Sequence, residues 1–117
     1  MRFDERHARS VTTAEEAEEA IRAFMREGLN RDSQHHVREK SKGYDLYLPW
    51  MIEVIEYVQP EENKETLGML ELQRLYMDVA WSMVMRGILR PGPHTATLSA
   101  ESNVYGTAFS LIMGVEV

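Results

Sequence analysis

The residues with the widest chemical repertoire in this chain are two close pairs, His35 with His36 and Glu53 with Glu56. Imidazoles bind metal ions and titrate near neutral pH, and carboxylates one helical turn apart can share a proton. Neither pair has a further ligand or a nucleophile at the spacing of a known site. We therefore expect a solvent-exposed histidine pair and a solvated helix face, with no metal, no cofactor and no enzymatic activity.

A run of basic residues between positions 30 and 43 is the clearest candidate for phosphate contact. Its cations are Arg31, Arg38, Lys40 and Lys42, interrupted by Asp32 and Glu39. The whole chain carries 13 Lys plus Arg against 19 Asp plus Glu, a formal net charge of −6. A nucleic-acid surface would therefore have to be local, and a solvated loop is the commoner outcome for such a run.

Length and composition predict one domain in the cytoplasm. The chain has 117 residues, enough for one genuine core, and no cysteine, which excludes disulfides, thiolate nucleophiles and the usual structural zinc sites. The first fifteen residues are charged throughout and lack the apolar stretch of a signal peptide. No run of about eighteen uncharged apolar residues is present, so we expect no membrane span.

The first predicted helix begins near Thr13. Thr13 followed by Glu16 fits a capping box, and Gly28 fits a left-handed stop. The apolar residues between them recur with helical spacing: Ala17, Ala20, Ile21, Phe24 and Met25. Residues 1–12 read as a polar arm with little to bury beyond Phe3, followed by a single domain over residues 13–117.

The middle of the chain predicts a strand and two further segments. Alternation in "YDLYL" predicts a half-buried strand over residues 44–48. Residues 49–58 fit a helix after Pro49, with a strand as the alternative because β-branched residues are frequent there. A third helix should cover residues 66–86 and be mostly buried, since Asp78 is the one charged residue between Leu75 and Val84. Trp50 and Trp81 are expected to be core anchors.

The C-terminal third contains two β-prone runs, "TATLS" and "YGTAFSLIMGVEV", which suggest a hairpin. The stretch "LYMDVAWSMVMRGILRPGP" followed by "YGTAFSLIMG" resembles the end of bacterial winged-helix domains, over about residues 44–114. The resemblance implies a small α+β fold with about three helices and a C-terminal β-hairpin. It puts the third helix at residues 75–87 and the wing strands at residues 88–90 and 108–113.

In DNA-binding winged-helix proteins the third helix enters the major groove and the wing approaches the phosphates. Both should then be basic on their outer face, yet the helix here is charge-balanced and no Lys or Arg follows Arg90. We therefore expect protein association, as a homodimer or within a larger assembly. The candidate interface residues are Met77, Trp81, Met85, Val104, Tyr105 and Phe109.

The alternative hypothesis is a winged-helix DNA-binding transcriptional regulator that binds double-stranded DNA. Its phosphate and base contacts would come from the basic run and from the third helix and wing. The candidate residues are Arg31, Arg38, Lys40, Lys42, Arg74, Arg86 and Arg90.

Overall fold

A computed structural model describes residues 2–29, 44–92 and 107–117. They form a small α+β domain with four helices and a three-stranded antiparallel sheet. The helices are α1 (Glu5–Arg9), α2 (Ala14–Arg26), α3 (Leu48–Glu56) and α4 (Met69–Met85), and the strands are β1 (Leu46–Tyr47), β2 (Leu89–Pro91) and β3 (Ala108–Leu111). β3 lies between the other two strands, with Leu46 opposite Phe109 and Leu89 opposite Leu111.

Helix α2 confirms the prediction at both ends. The Thr13 hydroxyl accepts a hydrogen bond from the Glu16 amide at 3.2 Å, and the Glu16 carboxylate accepts one from the Thr12 amide at 3.1 Å. The helix ends before Gly28, whose φ of 66° suits a residue without a side chain. All five residues of the predicted apolar stripe are buried.

The N-terminal segment is folded onto the domain, so the expectation that it buries little beyond Phe3 is wrong. Asp4 caps α1 by accepting hydrogen bonds from the amides of Arg6 and His7. Ala8 and Val11 are fully buried within the main core. Within the described residues, α1 is a helix that the sequence did not predict, because its burial rests on only two small apolar residues.

Hydrogen bonds between residues far apart in sequence link the N-terminal segment to α4 and to the loop that precedes α4. The Tyr76 hydroxyl donates to the Ala8 carbonyl at 2.5 Å. The buried Ser10 hydroxyl accepts from the Glu61 amide at 2.8 Å, and the Arg9 guanidinium donates to the Leu67 carbonyl at 2.9 Å. The loop between α3 and α4 is thereby held against the N-terminal segment.

Residues 48–56 form a helix, so the helix predicted after Pro49 is confirmed and the alternative strand is wrong. Pro49 lies in the first turn of α3, and Met51 and Ile55 are buried. The strand before it is only two residues long, and its predicted alternation is wrong because Leu46 and Tyr47 are both buried. Tyr47 packs with Tyr44 and Ala108 in a small second cluster, whereas Leu46 belongs to the main core.

Helix α4 begins three residues later than predicted, after Gly68. Its buried residues are Leu72, Tyr76, Val79, Ala80 and Met83. Because a helix turns by about 100° per residue, these five side chains occupy a single arc. The expectation that most of α4 is buried is therefore wrong.

The strands β2 and β3 overlap the positions expected at residues 88–90 and 108–113. The run "TATLS" lies outside the described residues. Among the helices that the structure describes, none is long and apolar enough to cross a membrane.

Candidate functional site

Four large apolar side chains of α4 lie outside its buried arc. We call Leu70, Met77, Trp81 and Met85 the α4 stripe, since their spacing of seven and four residues places them on one face of the helix. Leu70 is 62% exposed, Trp81 38% and Met85 88%, and Met77 is half-buried. Arg74, four residues after Leu70 and three before Met77, is exposed on the same side of the helix, so the apolar surface is uninterrupted only from Met77 to Met85. Exposed apolar surface of this kind can bind a partner.

Trp81 rests on the sheet at the middle of the α4 stripe. Its ring meets the Phe109 ring edge to face, with ring centroids 5.5 Å apart. Phe109 itself is fully buried, so its prediction as an interface residue is wrong: it packs beneath Trp81 in the core. Trp81 in turn is no core anchor, because more than a third of it is exposed. The indole is held against the sheet while part of it stays exposed to solvent.

A groove of about 360 Å³ separates α3 from α4. Leu48, Pro49 and Ile52 line it from α3, and Met77 lines it from α4. The remaining lining residues are Glu53, Glu56, Gln73, Tyr76 and Thr107. None of these described lining residues is a lysine or an arginine. The α3–α4 groove is continuous with the α4 stripe, because Met77 belongs to both.

The rim of the groove is acidic. Glu53 and Glu56 lie on α3 and line the groove. Lys64, the single Lys or Arg between positions 57 and 65, is engaged by Glu16 of α2 at 3.3 Å. Glu56 is exposed and forms no ion pair within the described part of the chain. This end of the molecule therefore presents negative charge next to apolar surface.

The arginines proposed to approach DNA bases are differently placed. Arg86 forms an ion pair with Glu18 of α2, which also binds Arg22 at 3.0 Å. Partial burial raises the pKa of Glu18, but the hydrogen bonds from Arg86 and Arg22 outweigh it, so its pKa is lowered. Glu18 stays ionised at neutral pH and compensates the charge of Arg86.

The remaining candidate cations do not come together in the described structure. Arg74 is exposed on α4, about 18 Å along the axis from Arg86 because each residue adds about 1.5 Å. Arg90 is half-buried in β2, opposite Ser110. Arg31, Arg38, Lys40 and Lys42 lie outside the described residues, as do Val104 and Tyr105.

The groove offers little for acid–base chemistry. Burial raises the pKa of Tyr76, and its hydroxyl donates to the Ala8 carbonyl rather than to a carboxylate of the groove. Across residues 2–29, 44–92 and 107–117, no three His, Asp or Glu side chains are grouped so that they could hold a metal ion. His35 and His36 lie outside these ranges.

Comparison with protein-family models, with curated proteins and with solved structures finds no match to this chain. Its function must be inferred from its own surface.

The sequence predicts Met77, Trp81 and Met85 as interface candidates but does not predict the groove beside them. The signal in the sequence was weak: Pro49 and Ile52 flank the buried residues of α3 without forming a pattern of their own. The groove arises where two helices pack, and the crossing of two helices is a tertiary property.

Proposed function

We propose that this chain is a non-catalytic binding module of winged-helix type, whose function is to associate with another protein as part of a larger assembly. The observation that carries the proposal is the α4 stripe. Trp81 and Met85 are exposed and Met77 is half-buried, on a helix that already buries an apolar arc in its own core. The partner is a protein segment that brings an apolar face to this stripe.

The order of elements supports the winged-helix part of the proposal. Helix α2, strand β1, helix α3, the longer helix α4 and the strands β2 and β3 follow one another along the chain. This is the succession of helix, strand, helix, longer helix and paired strands that the resemblance implies. Helix α1 is an addition that packs on α3 and α2.

The composition of the stripe supports a protein partner. Tryptophan is enriched among residues that dominate binding energy, and methionine adapts its shape to a partner at low cost. Full burial of one methionine or leucine side chain contributes roughly 1.5–3 kcal/mol. Met85 and Leu70 together leave enough apolar surface in water for a partner to gain affinity by covering it.

The charges argue against DNA as the ligand. Arg86 is compensated by Glu18, and the sequence holds no Lys or Arg after Arg90, where a wing would need them. Repulsion between DNA phosphates and the carboxylates beside α3 would oppose docking on this side.

The experiment is a selection of binders from a library of randomised helical peptides. Contacts are then mapped by NMR with methyl-labelled methionine. We expect the selected peptides to shift the Met77 and Met85 methyl signals. Trp81→Glu should weaken their binding by about tenfold or more, equivalent to about 1.4 kcal/mol. Ser82→Glu, on the neighbouring exposed position, is the matched control and should leave binding unchanged.

Two other outcomes would overturn this assignment. Affinity for mixed-sequence duplex DNA that falls steeply with salt, and is lost in Arg74→Glu but kept in Trp81→Glu, would indicate the DNA-binding regulator. A solution mass of two chains that reverts to one chain in Trp81→Glu would make the partner a second copy.

A further inference from the structure

We infer that Met85 is a redox-sensitive modification site, whose oxidation to methionine sulfoxide by hydrogen peroxide releases the partner from the α4 stripe. This inference rests on the proposed function, because it concerns the regulation of the same surface. Met85 is 88% exposed and lies at the C-terminal end of the stripe, one turn after Trp81. An accessible sulfur atom is thereby part of the surface that the partner covers.

The methionines of this chain differ widely in their access to solvent. Met51 and Met83 are fully buried, whereas Met85 is 88% and Met113 98% exposed. The remaining described methionines lie between these extremes: Met25, Met69 and Met77. Because the chain has no cysteine, methionine is its only sulfur-containing residue type. Peroxide has to reach the sulfur atom, so we expect the exposed thioethers to react first.

The modification is an oxygen-atom transfer to the Met85 thioether. A lone pair of the sulfur attacks one oxygen of hydrogen peroxide, the O–O bond breaks and an S–O bond forms. The proton on the transferred oxygen passes to the departing hydroxide, which leaves as water. Sulfur is oxidised and the second peroxide oxygen is reduced. Methionine sulfoxide reductases reverse the change with a dithiol, which becomes a disulfide as water is released.

The added oxygen reverses the contribution of Met85 to binding. The thioether is apolar and adaptable, so covering it with an apolar partner favours association. The sulfoxide oxygen is a strong hydrogen-bond acceptor that water satisfies in the free protein. An apolar partner removes that water without replacing its hydrogen bond, which is unfavourable. Oxidation of Met85 therefore weakens docking on the α4 stripe.

The fold separates this surface effect from damage to the core. Met83 precedes Met85 by two residues, and the helical turn directs the two side chains about 200° apart around the axis of α4. Met83 is fully buried, so its sulfur reacts only when the structure opens locally. The exposed thioether can therefore be oxidised and reduced while the core keeps its packing.

The first measurement is the rate of oxidation at each methionine of the whole chain. The protein is treated with dilute hydrogen peroxide, catalase stops the reaction, and mass spectrometry of proteolytic fragments locates each added oxygen. We expect Met85 and Met113 to be oxidised at least about tenfold faster than Met51 and Met83. Oxidation of Met83 as fast as Met85 would overturn the inference, because the core would then be attacked together with the surface.

The second measurement is the affinity for the tightest helical peptide that the library selects on the α4 stripe. The peptide is added after catalase has removed the peroxide, and binding is followed by fluorescence anisotropy. We expect oxidation to weaken binding by about tenfold or more, and treatment with methionine sulfoxide reductases and dithiothreitol to restore it.

Matched variants locate the effect at one sulfur atom. Leucine conserves an apolar side chain of similar volume but cannot be oxidised in this way. Each variant is compared with itself before and after peroxide treatment. Met85→Leu should lose most of the sensitivity to oxidation. Met113→Leu, which removes an equally accessible thioether outside α4, should keep the sensitivity of the original chain. Equal protection by both variants would contradict a specific role of Met85.

The outcomes distinguish this inference from the proposed function. If Trp81→Glu abolishes peptide binding but complete oxidation of Met85 leaves the affinity unchanged, the docking surface stands and the redox site is refuted. If the library yields no binder to the α4 stripe, both fail. Circular dichroism of the oxidised protein should match that of the untreated protein. A loss of helical signal would show unfolding instead of partner release and would also overturn the inference.

Discussion

Helices α2 and α4 pack against each other but use their surfaces in different ways. In α2 every large apolar residue is buried, and the polar face is engaged by Thr12, Lys64 and Arg86 through Glu16 and Glu18. In α4 five residues are buried, while Leu70, Trp81 and Met85 remain exposed beside them. The domain buries every large apolar side chain of α2 but only some of those of α4.

The difference between α2 and α4 shows how apolar residues that the core does not bury can be recognised. A core typically uses an apolar arc of about 100° or more from each helix, and exposed apolar residues beyond that arc contribute less to folding. Such residues are retained where another molecule covers them, or they are a liability for aggregation. The buried arc of α4 and the α4 stripe can be compared by using variants that leave α2 unchanged.

The largest effect should come from two methionines of α4 that are two residues apart. Met83 is fully buried, so Met83→Ala should lower the free energy of unfolding by about 2–5 kcal/mol through lost burial and a cavity. Met85 is 88% exposed, and Met85→Ala should change the free energy of unfolding by less than about 0.5 kcal/mol. Urea denaturation measures both. Similar losses of unfolding free energy in the two variants would contradict the placement of Met83 in the buried arc and of Met85 in the α4 stripe.

Removing one hydroxyl should be the next largest effect. Tyr76→Phe deletes the donor to the Ala8 carbonyl inside the core and should cost about 1–3 kcal/mol. Hydrogen exchange of the α1 amides should accelerate in this variant. Tyr57→Phe is the control, because Tyr57 is 86% exposed and should tolerate the change. Unchanged exchange in α1 would mean that this bond does not hold the N-terminal segment.

The N-termini of α2 and α4 also differ, and substitutions there should change the stability of the protein in opposite directions and by smaller amounts. Thr13 caps α2 with its hydroxyl, so Thr13→Ala should destabilise the protein by about 1 kcal/mol. Gly68 precedes α4 without a side-chain cap, and an added Cβ meets no atom within 4 Å. Gly68→Ser should therefore stabilise by about 0.5 kcal/mol, measured by thermal or urea unfolding. A loss of stability in Gly68→Ser would refute the open space there.

The smallest effect concerns pH. The hydrogen bond from the Thr12 amide lowers the pKa of Glu16 to about 2, with partial burial opposing it and Lys64 adding to it. The folded pKa lies below the ordinary value of 4.5, so this stabilisation is complete above pH 4.5 and is lost as the pH falls towards 2. The stability difference between the protein and Glu16→Gln should shrink between pH 7 and pH 3. A difference that grows on acidification would contradict this assignment.

Local signals explain what the sequence could predict. Thr13 with Glu16 marks the start of α2 and Gly28 marks its end, so both ends and the buried face were predictable from local signals. Helix α1 also has a local cap, Asp4, but it is stabilised by the burial of Ala8 and Val11 against residues distant in sequence. Sequence spacing cannot show such a contact.

The candidate site was only partly predictable for a related reason. Periodicity showed that α4 is apolar over too wide an arc, but not which arc the core would take. Phe109 was assigned to the surface because its strand is apolar, whereas sheet pairing buries it beneath Trp81. The groove depends on how α3 and α4 cross, which neither helix encodes alone.

The position of β3 determines when this chain can acquire its structure during synthesis. β1 at residues 46–47 and β2 at residues 89–91 both pair with β3, which begins at Ala108. On a ribosome that emits the chain from its N-terminus, both strands wait until residues 108–111 have left the exit tunnel. Contacts of such long range also slow folding. We therefore expect nascent chains that stop before residue 107 to stay sensitive to proteases, and the apolar surface of α4 to need chaperone protection until β3 arrives.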